Sequence, residues 1–183
     1  MFRLIALAML MLSLSACMTR PVSTRPAPSP ILRLSPASLG APMARQQELE
    51  FRFGKQRQVV DALLEVDATE VRLALLAMGQ SALRLRWDGT ELHETRAAWL
   101  PSALQSERVL SDLQLVYWPT ADIQRALPDG WVIRESSGAR DLLHGDEVVV
   151  AIRFPSSDRI ELTQRRDGYQ LIITSALTVE PPR

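Results

Sequence analysis

Leu83-Arg84-Leu85-Arg86-Trp87-Asp88-Gly89 decides the fold. Leucine, leucine and tryptophan fall on alternate positions, arginine falls between them, and the run ends on Asp-Gly. One apolar and one charged face at period two make a half-buried antiparallel strand, and Asp-Gly is a hairpin signal. The same pattern extends upstream. Leu49, Phe51 and Phe53 alternate with Glu48, Glu50 and Arg52. After a Gly54-Lys55 turn, Val60, Ala62, Leu64 and Val66 alternate with Asp61 and Glu65, and Val71, Leu73 and Leu75 continue the series. A short strand over Thr90–Arg96 closes this first set.

The period then changes. Leu104, Val109, Leu110, Leu113, Val116 and Tyr117 are spaced mostly by three and four, which predicts a helix from Ser102 to Tyr117. Ser102 and Gln105 stand at capping-box spacing just after Pro101, and Pro119 stops the helix. Thr120–Leu127 reads as a second, shorter helix, ended by Pro128-Asp129-Gly130. Strands resume with Trp131-Val132-Ile133. Asp141–His144 then turns through Gly145-Asp146 into Val148, Val150, Ile152 and Phe154. Ile160 and Leu162 follow, and an Asp167-Gly168 hairpin leads into Tyr169, Leu171 and Ile173.

These elements make a mainly β chain with two helices, an α+β class. A sheet with one apolar face must cover that face. Curling into an open antiparallel half-barrel with the helices as a plug does so. Either the plug leaves a concave apolar interior, the usual geometry for a small hydrophobic ligand, or it fills the interior completely. Pattern alone leaves both open.

The N-terminus carries a different message. Met1 to Arg3 holds one positive charge, Leu4 to Leu12 is apolar, and small residues lead to Leu14-Ser15-Ala16-Cys17. That layout is a secretory signal peptide, too short for a permanent span. Its ending resembles the bacterial lipobox. The resemblance implies a diacylglyceryl group on the Cys17 thiol, cleavage before it, and a palmitate-like acyl chain on the new amino group. Each buried CH₂ adds about 0.8 kcal/mol, so three chains anchor where one is marginal. Met18, where an inner-membrane retention signal carries Asp, points to the periplasmic face of the outer membrane. Cys17 is the only cysteine, so no intrachain disulfide supports the fold.

From Thr19 to Pro42 the composition shifts, with Pro21, Pro26, Pro28, Pro30, Pro36 and Pro42 among Ser, Thr, Ala and Arg. Such a stretch reads as an extended spacer. Docking of Ile31-Leu32-Arg33-Leu34 onto the domain is the alternative for its second half. The expected organisation is a signal peptide at 1–16, the lipidated cysteine and Pro-rich tether at 17–44, and the half-barrel at 45–180.

Charge argues against a nucleic-acid partner, because 21 basic residues balance 21 acidic ones and no basic stripe stands out. Lys55 is the only lysine, a bias that codon composition explains. His93, near Glu91 and Glu94, reads as a solvated strand face rather than a metal or acid–base site, and His144 beside its Gly-Asp turn reads the same way. Trp87, Trp99, Trp118 and Trp131 sit at element ends, where core or rim roles are usual. No nucleophile elbow, zinc motif, P-loop or dinucleotide fingerprint occurs. The expectation is no enzyme, no cofactor and no metal.

Three segments in order carry a family resemblance: Leu75-Leu76-Ala77-Met78-Gly79 at a turn, then Asp112-Leu113-Gln114-Leu115-Val116-Tyr117-Trp118-Pro119, then Leu127-Pro128-Asp129-Gly130-Trp131. Over about Leu34 to Val179 the chain resembles an uncharacterised family of bacterial outer-membrane lipoproteins. That family is a domain of unknown function often encoded beside aryl-polyene biosynthesis genes, and it is distantly similar to the lipoprotein receptor LolB. The resemblance implies a LolA/LolB-like half-barrel holding an acyl chain, and an apolar loop that enters the membrane. Met78, with Leu76 beside it, occupies the comparable loop; a gap-filling core methionine is the other reading. The chain departs from LolB-like proteins in lacking a clear amphipathic helix before the first strand, since Pro36, Gly40 and Pro42 interrupt residues 31–44.

Two functions follow. The first is a carrier or acceptor that binds an acyl or polyene lipid, or a lipoprotein acyl chain, and assists its transfer or insertion. Cys17 would anchor it, Leu76 and Met78 would touch the membrane, and Leu73, Leu85, Val150, Ile152 and Leu171 would line the cavity. The second is a docking module with a packed interior, whose partner is a periplasmic carrier, an inner-membrane exporter or an assembly machine.

Overall fold

Apolar–charged alternation carries ten strands into one antiparallel sheet in the computed structural model, which describes residues 27–101 and 104–176. The first meander comprises β1 (Met43–Phe53), β2 (Gln56–Val66), β3 (Val71–Ala77), β4 (Gln80–Trp87) and β5 (Leu92–Arg96). Helices α1 (Ser106–Tyr117) and α2 (Thr120–Ala126) follow. The second meander comprises β6 (Trp131–Ser136), β7 (Ala139–His144), β8 (Glu147–Ser156), β9 (Arg159–Gln164) and β10 (Tyr169–Ser175). Their spatial order is β5-β4-β3-β2-β1-β10-β9-β8-β7-β6, so β1 and β10 join the meanders and the edge strands β5 and β6 do not pair. The sheet is therefore an open half-barrel.

Register puts the apolar set on one face. Leu64, Leu73 and Leu85 stand opposite one another, as do Phe51, Leu171, Leu162, Ile152 and Arg140 across five strands. The helices pack on this face, with Leu110, Leu115, Trp118 and Ile123 in the same buried cluster. The opposite face is laced with ion pairs, among them Arg57 and Arg52 on Glu50, at 2.7 and 2.6 Å. Those two guanidinium groups hold the Glu50 carboxyl at about 2.

Arg140 is the charged member of the inner face, and its burial is explained by what it touches. Its Nη1 donates to the carbonyls of Leu115 (2.8 Å), Val116 (3.1 Å) and Trp118 (3.0 Å), and its Nη2 reaches Glu135 at 3.2 Å. The last carbonyls of a helix lack intrahelical partners. A cation there satisfies them and opposes the negative end of the helix dipole.

Helix α1 begins at Ser106, four residues later than the spacing predicts. Gln105 is its N-cap in extended conformation and makes no side-chain cap bond; Ser102 lies outside the described residues. Ahead of the helix the Leu104 N–H donates to the Pro101 carbonyl at 3.1 Å.

The larger departure lies before β1. Residues 27–35 lie as a strap across α1, and the second half of the Pro-rich segment is not free spacer. Leu32 and Leu34 are buried. The Leu32 N–H donates to Ser111 Oγ, the Leu34 N–H donates to Gln114 Oε1, and Gln114 Nε2 returns a bond to the Leu34 carbonyl, each at 3.0 Å. Trp87 Nε1 donates to the same carbonyl at 2.8 Å, and Trp118 Nε1 donates to that of Ser35 at 3.1 Å. A short 3₁₀ turn, Pro36–Leu39, then leads toward β1. The folded body thus reaches back at least to Ala27, ahead of the expected start at 45. The expected signal peptide and the expected lipidation site at Cys17 lie outside the described residues.

Candidate functional site

The strand register defines two ends of the half-barrel. Phe53, Ala77, Arg96, Gln164 and Tyr169 mark one end, which also carries the loop between β5 and α1. A cavity of about 630 Å³ opens there, between α1 and the strands β1–β4 and β10. That volume lies within the usual range of roughly 300–1,000 Å³ for small-molecule sites. Leu49, Val60, Leu73, Leu75, Leu113 and Ile173 form its apolar wall. Phe53 (59 % exposed) and Trp99 (47 % exposed) flank the opening.

The expected lining residues divide by half. Leu73 and Leu171 line this cavity. Val150 and Ile152, at 0 % and 1 % exposed, share the core cluster with them but do not line the cavity. Leu85 is buried too, and it borders a different, more open groove of about 440 Å³ that also takes in Arg72, Arg84, Arg86 and His93. Arg72 and Arg86 of that groove are engaged by Glu65, Asp67 and Glu70. We therefore place the candidate site in the inner cavity.

Met78 is no core filler. It is 95 % exposed, at the tip of the β3–β4 hairpin, next to Ala77 of the cavity wall. Its φ of 51° and the 74° of Gly79 make the paired left-handed turn that matches strand twist. A methionine held there places a large apolar side chain in solvent. Leu76 is half-buried and stands opposite Asp61, on the face away from the cavity. His93 is half-exposed at 3.5 Å from Glu91. His144 stacks on Trp131 with ring centroids 4.7 Å apart. Among the described residues no group of three or more His, Cys, Asp or Glu could hold a metal ion, and no helix is long and apolar enough to cross a membrane.

A polar corner at the mouth was not anticipated from the sequence. Asp112 of α1, buried, accepts from Gln164 Nε2 at 2.8 Å and from the Tyr169 hydroxyl. Ser29 of the strap donates to Gln164 at 3.4 Å and accepts from Arg108 Nη1 at 2.7 Å. Arg108, Asp112, Asp167 and Tyr169 all border the cavity. Burial pushes the Asp112 carboxyl from 3.8 up to about 6, against the bonds from Tyr169 and Gln164 and the charge of Arg108. Burial, with the Asp112 charge, also pushes the Tyr169 phenol up. The available signal was an acid inside an apolar helical run, Leu110-Ser111-Asp112-Leu113.

The raised carboxyl sets a pH dependence. A folded-state pKa above the unfolded value means that the folded chain holds the proton more tightly. The stabilisation is complete below pH 4 and is lost as pH rises through 6. A shift of about two units corresponds to about 3 kcal/mol. Asp112→Asn is expected to lack this slope, so the stability difference between variant and wild type changes by about that amount between pH 4 and 7.5. Urea unfolding of both proteins at the two pH values checks it; parallel pH profiles would contradict the assignment.

An open antiparallel half-barrel with a mouth cavity, apolar within and polar at one corner, is the class that fold and site define. Residues 44–177 match the family described as protein of unknown function (DUF3261), and the chain belongs to that family. No curated protein matches the chain.

Proposed function

We propose that this protein is a lipid-anchored carrier or acceptor. In this reading it binds an acyl or polyene chain, free or borne by a lipoprotein, in the mouth cavity and assists its transfer or insertion at the outer membrane. The observation that carries the reading is the roughly 630 Å³ cavity, walled by leucine, valine and isoleucine and opening between exposed Phe53 and Trp99. Burying apolar surface yields about 25 cal/mol per Å², so such a wall favours a hydrocarbon chain over a polar metabolite. Met78 at the neighbouring hairpin tip, with Leu76 behind it, is the candidate membrane contact. No catalytic role is assigned to any residue of the cavity.

The docking alternative draws on a specific feature. Val150, Ile152 and Leu162 are fully buried and do not border the cavity, the environment a docking module would have throughout. Titration with a fluorescent fatty acid separates the two. Saturable uptake, displaced by unlabelled fatty acid, is the carrier's result; no uptake is the docking module's. The anchor has its own test. Cys17→Ser is expected to move the protein from the membrane fraction to the soluble periplasmic fraction, and retention in the membrane would refute lipidation at Cys17.

A further inference from the structure

We infer that the cavity selects a single-chain amphiphile with a carboxylate head, and that Arg108 receives that head at the mouth. The inference rests on the reading of the cavity as a ligand site and adds the chemistry of the ligand's polar end. Two arginines border the cavity. Arg52 is spent on Glu50 at 2.6 Å. Among the described residues Arg108 makes no ion pair or hydrogen bond with a carboxylate, its charge reaching Asp112 only at longer range: its guanidinium donates to Ser29, from Nη1 to Oγ at 2.7 Å and from Nη2 to the carbonyl at 3.0 Å. A guanidinium carries five N–H donors in a planar fork. Three remain for an acceptor, and a carboxylate matches the fork with two parallel bonds.

The neighbouring acids do not occupy that role. Asp112, one helical turn further along α1, has one oxygen on Gln164 and the other on the Tyr169 hydroxyl. Asp167, across the mouth, lies 3.8 Å from Arg166. Beyond this corner the wall turns apolar at Leu113, Leu49 and Val60, so the head stays at the mouth and the chain runs inward. Asp112 also sets a limit on depth, because a second carboxylate pushed past Arg108 would meet a buried acid with no spare cation.

The test displaces an environment-sensitive naphthalene dye from the purified full chain with hexadecanoate, hexadecanol or hexadecyl phosphate at pH 7.5. Charge-assisted bonding predicts that hexadecanoate displaces the dye at a concentration at least about tenfold lower than hexadecanol. Arg108→Leu is expected to bring the two within about twofold while hexadecanol binding persists. Arg108→Gln, which keeps a donor for Ser29 without the charge, is expected to do the same. Equal affinity for acid and alcohol in the wild type, or an unchanged preference in both variants, would overturn the head assignment and leave the cavity reading intact. Tighter binding of the phosphate than of the carboxylate would overturn the choice of head. Failure of all three chains to displace the dye would overturn the cavity reading and this inference with it.

Discussion

Leu75→Trp is expected to abolish uptake of an acyl chain while the protein stays folded, whereas Ile152→Trp is expected to cost stability. Both side chains are buried on the inner face of the sheet, at 2 % and 1 % exposed. Leu75 borders the cavity, so a larger ring grows into space the ligand would use. Ile152 stands between Leu162 and Arg140, buried and away from the cavity, so added volume forces neighbours off their rotamers. Overpacking of that kind costs about 1–3 kcal/mol. Fatty-acid titration and urea unfolding of both variants check the pair. A large loss of stability in Leu75→Trp, or unimpaired uptake by it, would contradict the division of the interior into an open and a filled half.

The second large effect falls on Arg140. Arg140→Leu removes the donor that three carbonyls at the end of α1 share and leaves them buried beside a leucine. Unsatisfied buried carbonyls cost about 1–3 kcal/mol each, toward the lower end where a shared donor is lost, and Glu135, half exposed, adds little on losing its partner. The expected loss is about 3–5 kcal/mol in chemical denaturation, with the helix end frayed in hydrogen exchange. A loss below about 1 kcal/mol would mean that water satisfies those carbonyls, and the helix would not depend on β7 for its position.

The strands were legible because period two is a local signal. Leu83, Leu85 and Trp87 needed no knowledge of their neighbours to be assigned to one face, and ten strands around two helices followed. The strap was not legible, because what orders it lies far away in sequence. Leu34 is held by Gln114 and Trp87, while its own surroundings are proline, serine and alanine. The strap in turn hides the amphipathicity of α1. Ser111 and Gln114 are buried because they bond the strap, so the helix is covered on both sides and its polar residues do not mark an outer face.

The site was readable in part for a related reason. Strand parity identifies which residues face inward, and on that ground Leu73, Leu85, Val150, Ile152 and Leu171 are equivalent. Parity carries no information on where the helices come to rest, and a cavity remains beside α1 that Leu73 and Leu171 border and Val150 and Ile152 do not. The polar corner escaped notice because an acid in a sequence is ordinarily solvated. Asp112 becomes a site residue only when Gln164 and Tyr169 arrive from β9 and β10.

The central claim is an open cavity that holds a hydrocarbon chain. Native mass spectrometry of the protein, purified from membrane-containing cells as the Cys17→Ser form, tests it most directly. The account predicts an added mass in the fatty-acid or polyene range that organic extraction removes without unfolding the protein. A single ligand-free mass, with no uptake of added fatty acid, would contradict it.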